Sequence, residues 1–421
     1  QKGEYEKRTH RRKGDESHSV PFYRLPRSGV SRLARVFRNG KGQSQFFTTA
    51  FQRWPICDTP AVVVELWAIA IDNAAQEETS LDMTHVFRAV DDSHPIDRER
   101  LSRYLCDQGF NLDPDCEIRQ FASGLANINY LLAIGGEPHV LRRPPDGDLP
   151  PGAHDMAREH RVLSNLSRVF PLAPDSRHLC TDTSVIGVAF QLLEYRAGMV
   201  IKGDDTTVID GAPDTARKLG ETMVATMAAL HAVDASAAGL GDLGRPEGFV
   251  NRAVAGWRKR AERLEPEGRM GQLVSEIGGW LARQNTQSRH ATLLHCDIKL
   301  DNLILDPNTL KPVALVDWDM GTRGDPLFDL ATLLSYWTEP NDPPAMHEMA
   351  QMPTAAPGFQ TRDEIAQLYG ETTGLDLSDL PVMRVLCLFK LATVFHQLHA
   401  TYGRGEGARD PYRGFDRLAL G

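Results

Sequence analysis

The sequence predicts an α+β protein: a small lobe built on an antiparallel sheet, followed by a larger and mostly helical lobe. Three observations lead there. Between residues 116 and 198, β-rich stretches bounded by turn signals enclose a single helical segment. From 214 to 285, helical periodicity dominates. Strands and helices do not alternate as a parallel βαβ sheet requires, and the phosphate-binding pattern GxxxxGK[ST] does not occur.

The elements follow in chain order. DSHPIDRERLSRYLCDQG (92–109) reads as a helix with Asp97 at its start. CEIRQFASGLANINYLLAI (116–134) reads as strand, glycine-containing turn, strand, and PHVLRRP (138–144) as a third strand. After a Pro/Gly-rich loop, HDMAREHRVLSNLSRV (154–169) has helical spacing, with Met156, Val162 and Leu163 near one face. SVIGVAFQLLEYRAG (184–198) supplies a further strand, and 214–234, 251–264 and 270–285 read as helices.

The chain has 421 residues, 41% hydrophobic and 24% charged, with a formal net charge of −9. That balance gives no reason to expect a nucleic-acid partner. Six cysteines without C-x-x-C spacing fit a reducing, cytoplasmic setting. The longest apolar candidate, AVVVELWAIAI (61–71), is too short to span a bilayer and contains Glu65, so no membrane partner is expected. Residues 1–41 hold twelve Lys/Arg and four Asp/Glu. Residues 1–82 are expected to form a poorly structured basic extension outside the functional unit, and Met83 reads like a natural start.

The densest chemistry lies in LLHCDIKLDN (293–302) and LVDWD (315–319). NLIL (302–305) and VALVDWD (313–319) read as the strands of a hairpin joined by the turn DPNTLKP. Closing that hairpin sets Asp297 and Asn302 close to Asp317. Two acids and an amide offer hard oxygen ligands suited to Mg²⁺, whereas His295 with Cys296 alone makes no zinc site. The set fits phosphoryl transfer from ATP, one carboxylate orienting the acceptor hydroxyl and Lys299 facing phosphate as a point charge. The plain alternative, turn residues joining two core strands, serves for each residue alone but not for the set. His295 is expected to organise the loop, and Asp301 to be a solvated or loop-stabilising acid. Cys296 has nothing nearby to make it a nucleophile. In GTRGDPLFDLA (321–331), Asp325 is expected to cap a helix that begins with Pro326.

HCDIKLDN with VDWDMGTRGDPLFDLA resembles the catalytic and metal-binding segments of the aminoglycoside phosphotransferase family, which has the protein-kinase-like fold. The resemblance covers roughly residues 95–421. It implies a nucleotide-binding lobe at 83–196 and a helical lobe at 197–421 carrying the catalytic loop and acceptor site. It also implies that Asp297 is the catalytic aspartate, that Asn302 and Asp317 hold metal, and that Lys299 occupies the catalytic-loop lysine position of protein kinases. Arg142 in VLRR falls where those kinases carry lysine, and Glu159 matches the helix glutamate that pairs with it. FASGLANINY (121–130) takes the place of the phosphate-covering loop, where Ser123, Gly124 and Asn127 would cap phosphates. QLLEYRAG (191–198) matches the hinge, where backbone groups of Glu194 and Arg196 would read adenine. Asp329 is implied to support the active-site region.

RRPPDGDLPPGAHDMAREHRVL (142–163) and GFQTRDEIAQLYGETTG (358–374) resemble the branch found beside or fused to acyl-CoA dehydrogenases. That branch implies a hydroxyacyl-CoA acceptor, with Arg362, Arg384, Arg404 and Arg413 available for its phosphates. The alternatives are an aminoglycoside, choline-like or homoserine-like acceptor, for which Glu339, Asp342, Glu348, Asp363 and Glu364 are candidate carboxylates, and a non-catalytic nucleotide-binding protein.

Overall fold

Asp97 sits where a helix start needs an acceptor. Its carboxylate takes the Arg100 backbone N–H at 3.0 Å and opens α1, Arg98–Asp107. In this computed structural model the described residues are 87–122, 127–147, 154–264, 268–284, 286, 288, 290–349, 351–403 and 414–420. They belong to one unit, Pro60–Gly421. The extension 1–82, Met83, Ser123, Gly124, Arg404 and Arg413 lie outside the described residues.

Leu101 and Leu105, one turn apart on α1, are fully buried. Such burial is worth about 1.5–3 kcal/mol per side chain. They pack with Ile128, Tyr130, Leu132, Leu141, Phe190 and Leu192. Those residues come from a five-stranded sheet, order β1-β2-β3-β5-β4. Its strands are β1 (Arg119–Gln120), β2 (Ile128–Ile134), β3 (Glu137–Arg143), β4 (Ser176–Cys180) and β5 (Phe190–Glu194). Every pairing is antiparallel. β2 alternates strictly between buried and half-buried residues, the pattern of a strand with one core face. It turns into β3 through Gly135 and Gly136, both at positive φ (61° and 86°), as a two-residue hairpin of this hand demands.

β4 is not apparent in the sequence. Its residues SRHLC carry only two buried positions, Ser176 and Cys180, and its pairing to β5 is irregular between Ser176 and His178, which breaks the period-two signal. The enclosed helix is α2, Met156–Leu166, capped by Asp155, whose carboxylate accepts from Arg158 N–H at 3.0 Å. Its inner face buries Met156, Glu159, Val162, Leu163 and Leu166, so Glu159 enters the protein among apolar neighbours.

The large lobe contains α3 (Pro213–His231), α4 (Phe249–Leu264), α5 (Gly268–Arg283), α6 (Leu327–Tyr336), α7 (Pro344–Met349), α8 (Arg362–Thr373), α9 (Leu380–Leu398) and α10 (Phe415–Leu420). Two short antiparallel ribbons hold the polar segments: β6 (Thr292–Leu294) with β9 (Thr322–Gly324), and β7 (Leu303–Leu305) with β8 (Pro312–Leu315). All ten residues of α6 are buried. The segment Leu380–Thr401 is long and apolar enough to cross a membrane, but 56% of its most apolar window is buried inside the protein, as in a core helix.

Candidate active site

The predicted hairpin forms, and it closes where the sequence places it. Leu303 pairs with Leu315, and the Val316 N–H donates to the Asn302 carbonyl at 2.9 Å. Asn302 is therefore beside the turn that carries Asp317. Its side-chain amide donates to the Asp297 backbone oxygen at 2.8 Å and to Asp297 Oδ2 at 3.0 Å. The second strand is shorter than expected. β8 ends at Leu315, and Asp317 takes a left-handed φ of 70°, which turns its carboxylate out of the strand. Cys296 has φ 69°. Such residues cost on the order of 1–3 kcal/mol each and persist only where surrounding contacts dictate them.

Those contacts are present. Asp329, fully buried on α6, accepts from the His295 N–H at 2.8 Å and the Cys296 N–H at 2.7 Å, one carboxylate oxygen for each. His231 Nε2 lies 3.2 Å from the same carboxylate, and His231 Nδ1 is 2.7 Å from the Tyr369 hydroxyl. On the other side of the loop, Lys390 of α9 donates to the Cys296 carbonyl at 2.8 Å. His295 Nε2 is 2.9 Å from the Val316 carbonyl, so it carries the proton there, and Nδ1 accepts the Asp297 N–H at 3.3 Å. The ring stands edge-on to Trp318 at 4.6 Å. His295 thus fastens the loop to the Asp317 turn, the organising place expected of it.

Asp297 has both carboxylate oxygens engaged. Oδ2 faces Asn302, with Lys299 Nζ at 3.8 Å, and Oδ1 accepts the Tyr336 hydroxyl at 2.6 Å. Burial pushes this carboxyl up, but Lys299, Lys390 and the Tyr336 hydroxyl outweigh it and hold Asp297 below the ordinary carboxylate value. Lys299 is pulled down by burial and up by Asp297, Asp301 and Asp317, and the acids prevail. Asp301, expected to be a solvated or loop-stabilising acid, is Lys299's nearer partner at 3.3 Å, with its side chain 30% exposed. Burial and then Asp329 push the Cys296 thiol well above its usual range, which fits an inert cysteine.

Arg142 and Glu159 meet as expected, Nε to Oε2 at 2.8 Å. Arg142 also pairs with Asp317 and lies 3.3 Å from Asn129 Oδ1. Glu159 further accepts from Gln191 Nε2 at 2.6 Å and from the Trp318 N–H at 3.1 Å. Burial works against the Arg142 charge, but Glu159 and Asp317 raise its pKa above the usual arginine value. At the end of the phosphate-loop segment, Asn127 is buried, with Oδ1 at 2.9 Å from His154 Nδ1 and Nδ2 without a partner. At the hinge, the Glu194 N–H donates to the Asp175 carbonyl at 2.8 Å, and the Glu194 and Arg196 side chains pair at 2.9 Å. Asp325 accepts the Leu327 N–H at 3.0 Å, but α6 begins at Leu327 with Pro326 as its N-cap, one residue later than expected.

Sequence reasoning missed Tyr336 and Lys390. Each left a faint signal. Tyr336 follows Asp329 by seven residues, two helical turns, and so shares its face of α6. Lys390 stands alone in the apolar run LCLFKLATVF, where a charge needs an internal partner.

A sheet lobe and a helical lobe, joined by an Arg–Glu–Asp bridge and presenting a clamped His-Cys-Asp loop, define a small-molecule phosphotransferase of the protein-kinase-like fold. Residues 117–367 match the model of the phosphotransferase enzyme family, and the chain belongs to that family. A chicken protein named acyl-CoA dehydrogenase family member 11 is 29% identical over 342 residues, covering 77% of this chain and 42% of that protein. Mouse acyl-CoA dehydrogenase family member 10 is 29% identical over 292 residues, covering 68% of this chain and 27% of that protein. The chain thus spans less than half the length of these relatives. A crystal structure of a Ralstonia eutropha protein assigned as an aminoglycoside phosphotransferase superposes with a TM-score of 0.62 at 26% identity, covering 77% of this chain and 96% of that one.

Proposed function

We propose that this chain transfers the γ-phosphoryl group of ATP to the hydroxyl of a hydroxyacyl-CoA, with Mg²⁺. The acceptor class is carried by one observation: the matched relatives are acyl-CoA dehydrogenase family members. The structure supports the choice over a polycationic antibiotic. Two of the candidate carboxylates, Glu339 and Asp342, already pair with Arg362. Glu364 is spent capping α8, accepting from the Thr361 N–H at 2.8 Å. Arg362 is correspondingly occupied, so CoA phosphates would have to meet other cations.

Asn302 and Asp317 fit a Mg²⁺ site. With the Asn302 amide nitrogen turned to Asp297, its Oδ1 is the atom left to ligate, and Asp317, whose Oδ1 pairs with Arg142, has Oδ2 to add. Mg²⁺ is ordinarily held by one or two carboxylates plus substrate phosphates. Among the described residues no cluster of three or more His, Cys, Asp and Glu is arranged to hold a metal by itself. Held by Asn302 and Asp317, the ion would supply positive charge to offset that on the phosphate oxygens. Asp297 orients the alcohol and takes its proton as the oxygen attacks the γ-phosphorus. Lys299 offsets charge on the group in flight. Arg142, Asn127 and the neighbouring Ser123 and Gly124 attend the nucleotide, and the hinge at Glu194 and Arg196 its base.

The test is ATP-dependent phosphorylation of 3- and 4-hydroxyacyl-CoAs, kanamycin-like sugars, choline and homoserine by the purified chain, with Asp297→Ala alongside. Turnover confined to the acyl-CoAs and lost in Asp297→Ala is expected. Turnover of an aminoglycoside or amino alcohol alone would move the acceptor assignment. Absence of alcohol-dependent turnover throughout would refute it.

A further inference from the structure

Asp297 does not stand open to whatever hydroxyl arrives. Tyr336, the last residue of α6, already donates to Oδ1 at 2.6 Å, within the range of charge-assisted O–H···O⁻ bonds. The Lys299 ammonium lies 5.5 Å from the centre of the Tyr336 ring, so the aromatic side chain fills the space beside both groups. Tyr336 is 7% exposed. The Asp297 side chain keeps 20% exposure, so it is reachable on its remaining side.

A carboxylate oxygen has two lone pairs. Oδ2 already faces Asn302 and Lys299, while Oδ1 has one direction left once Tyr336 has taken the other. We infer that Tyr336 is a positioning residue that selects the acceptor: it fixes the Asp297 carboxylate and leaves a single approach that an anchored alcohol can use and a stray water cannot hold. This rests on the proposed role of Asp297. In productive transfer, the alcohol oxygen bonds to the γ-phosphorus as the bond from that phosphorus to the β,γ-bridging oxygen breaks. The alcohol proton goes to Asp297, and ADP leaves. Water entering the same way would give inorganic phosphate and ADP. An alcohol is held in line by the rest of its molecule. Water is not, and finds only the one direction at Oδ1 that the tyrosine hydroxyl leaves open.

The experiment compares the full chain with Tyr336→Phe, which keeps the ring and removes the donor. Should that protein not fold, Tyr336→Met fills similar space without a donor. Two rates are measured with Mg-ATP: phosphate release without acceptor, and phosphorylation of a 4-hydroxyacyl-CoA. Losing a hydrogen bond to a charged group is worth about tenfold or more. Acceptor-free phosphate release is therefore expected to rise about tenfold. The transfer kcat is expected to fall by a similar factor with little change in acceptor KM. Phosphate release at or below the wild-type rate, falling in parallel with transfer, would overturn the inference and leave Tyr336 a structural residue. A wild-type chain that phosphorylates no alcohol would refute the proposed function, while the phosphate-release comparison would still decide the role of Tyr336.

Discussion

Replacing Asp329 with alanine should both loosen the protein and disable it. The carboxylate is fully buried and serves the His295 N–H at 2.8 Å, the Cys296 N–H at 2.7 Å and His231 Nε2 at 3.2 Å. With the Tyr369 hydroxyl donating to His231 Nδ1, the Nε2–H is a third donor directed at Asp329. A buried donor left unpaired costs about 1–3 kcal/mol, and three coupled donors together about 3–5 kcal/mol. At about 2 °C per kcal/mol for a domain of this size, melting should fall by about 6–10 °C. Cys296 would also lose what holds it at positive φ. Displacing Asp297 by an ångström should cost about hundredfold in kcat. Thermal denaturation and steady-state phosphorylation of the best acceptor measure both. Asp329→Asn separates hydrogen bonding from simple loss of volume. It fills the space but turns an NH₂ toward a donor, so it should lie near the alanine variant. Melting within about a degree of wild type with kcat retained would show that Asp329 does not hold the loop.

Glu159→Gln leaves the buried Arg142 with Asp317 as its remaining counter-charge and turns an NH₂ toward a donor, the Trp318 N–H or the Gln191 amide. A loss of about 3 kcal/mol in urea unfolding and a raised KM for ATP are expected; unchanged unfolding would mean that the pair is not structural. Gly198→Ala would put a Cβ 2.5 Å from Ile304 Cγ2 and 2.6 Å from the Leu305 carbonyl oxygen, where Met199 and Leu305 exchange backbone hydrogen bonds. It should cost about 1–3 kcal/mol, read as a lowered urea midpoint. Burial lowers the pKa of His160 and His178 below the ordinary histidine value. The unfolded chain therefore binds protons first, and the stability these residues contribute is present above the unfolded value of about pH 6.5 and lost as pH falls from there through their lower folded values. Melting temperature should drop between about pH 7 and 5, and His178→Gln should flatten that slope.

What the sequence disclosed was what lay close in sequence. Asp297 and Asn302 are five residues apart and the hairpin that returns to Asp317 is short, so apolar runs and turn residues sufficed to assemble them. The α1 start was legible because Asp97 caps within three residues of itself, and α2 because Met156, Val162 and Leu163 keep helical spacing. The groups that hold the loop come from far away. Tyr336 is 39 residues from Asp297 and Lys390 is 94 from Cys296, and no local period encodes such contacts. The Arg142–Asp317 pair, 175 residues apart, was beyond the same horizon. Arg142 with Glu159 was foreseen only through family resemblance. β4 escaped for a different reason, since its bulged pairing erased the alternation that marks a strand.

One helix holds the Asp297 loop from the core side. α6 grips the loop backbone through Asp329 and the Asp297 side chain through Tyr336, and all of its residues are buried. The chain then leaves α6 for the segment proposed to meet the acceptor, which is braced internally. Trp337 Nε1 donates to the Gln360 carbonyl at 2.9 Å, and the Thr338 N–H donates to Thr354 Oγ1 at 2.8 Å. Arg362 ties the start of α8 to Glu339 and Asp342. A segment anchored on itself and suspended from a buried helix can change its lining without moving Asp297, because the forces that place Asp297 come from the core side. On the function proposed above, specificity and catalysis would be separable in this chain, and Tyr336, where the buried helix meets that segment, would be the residue through which they touch.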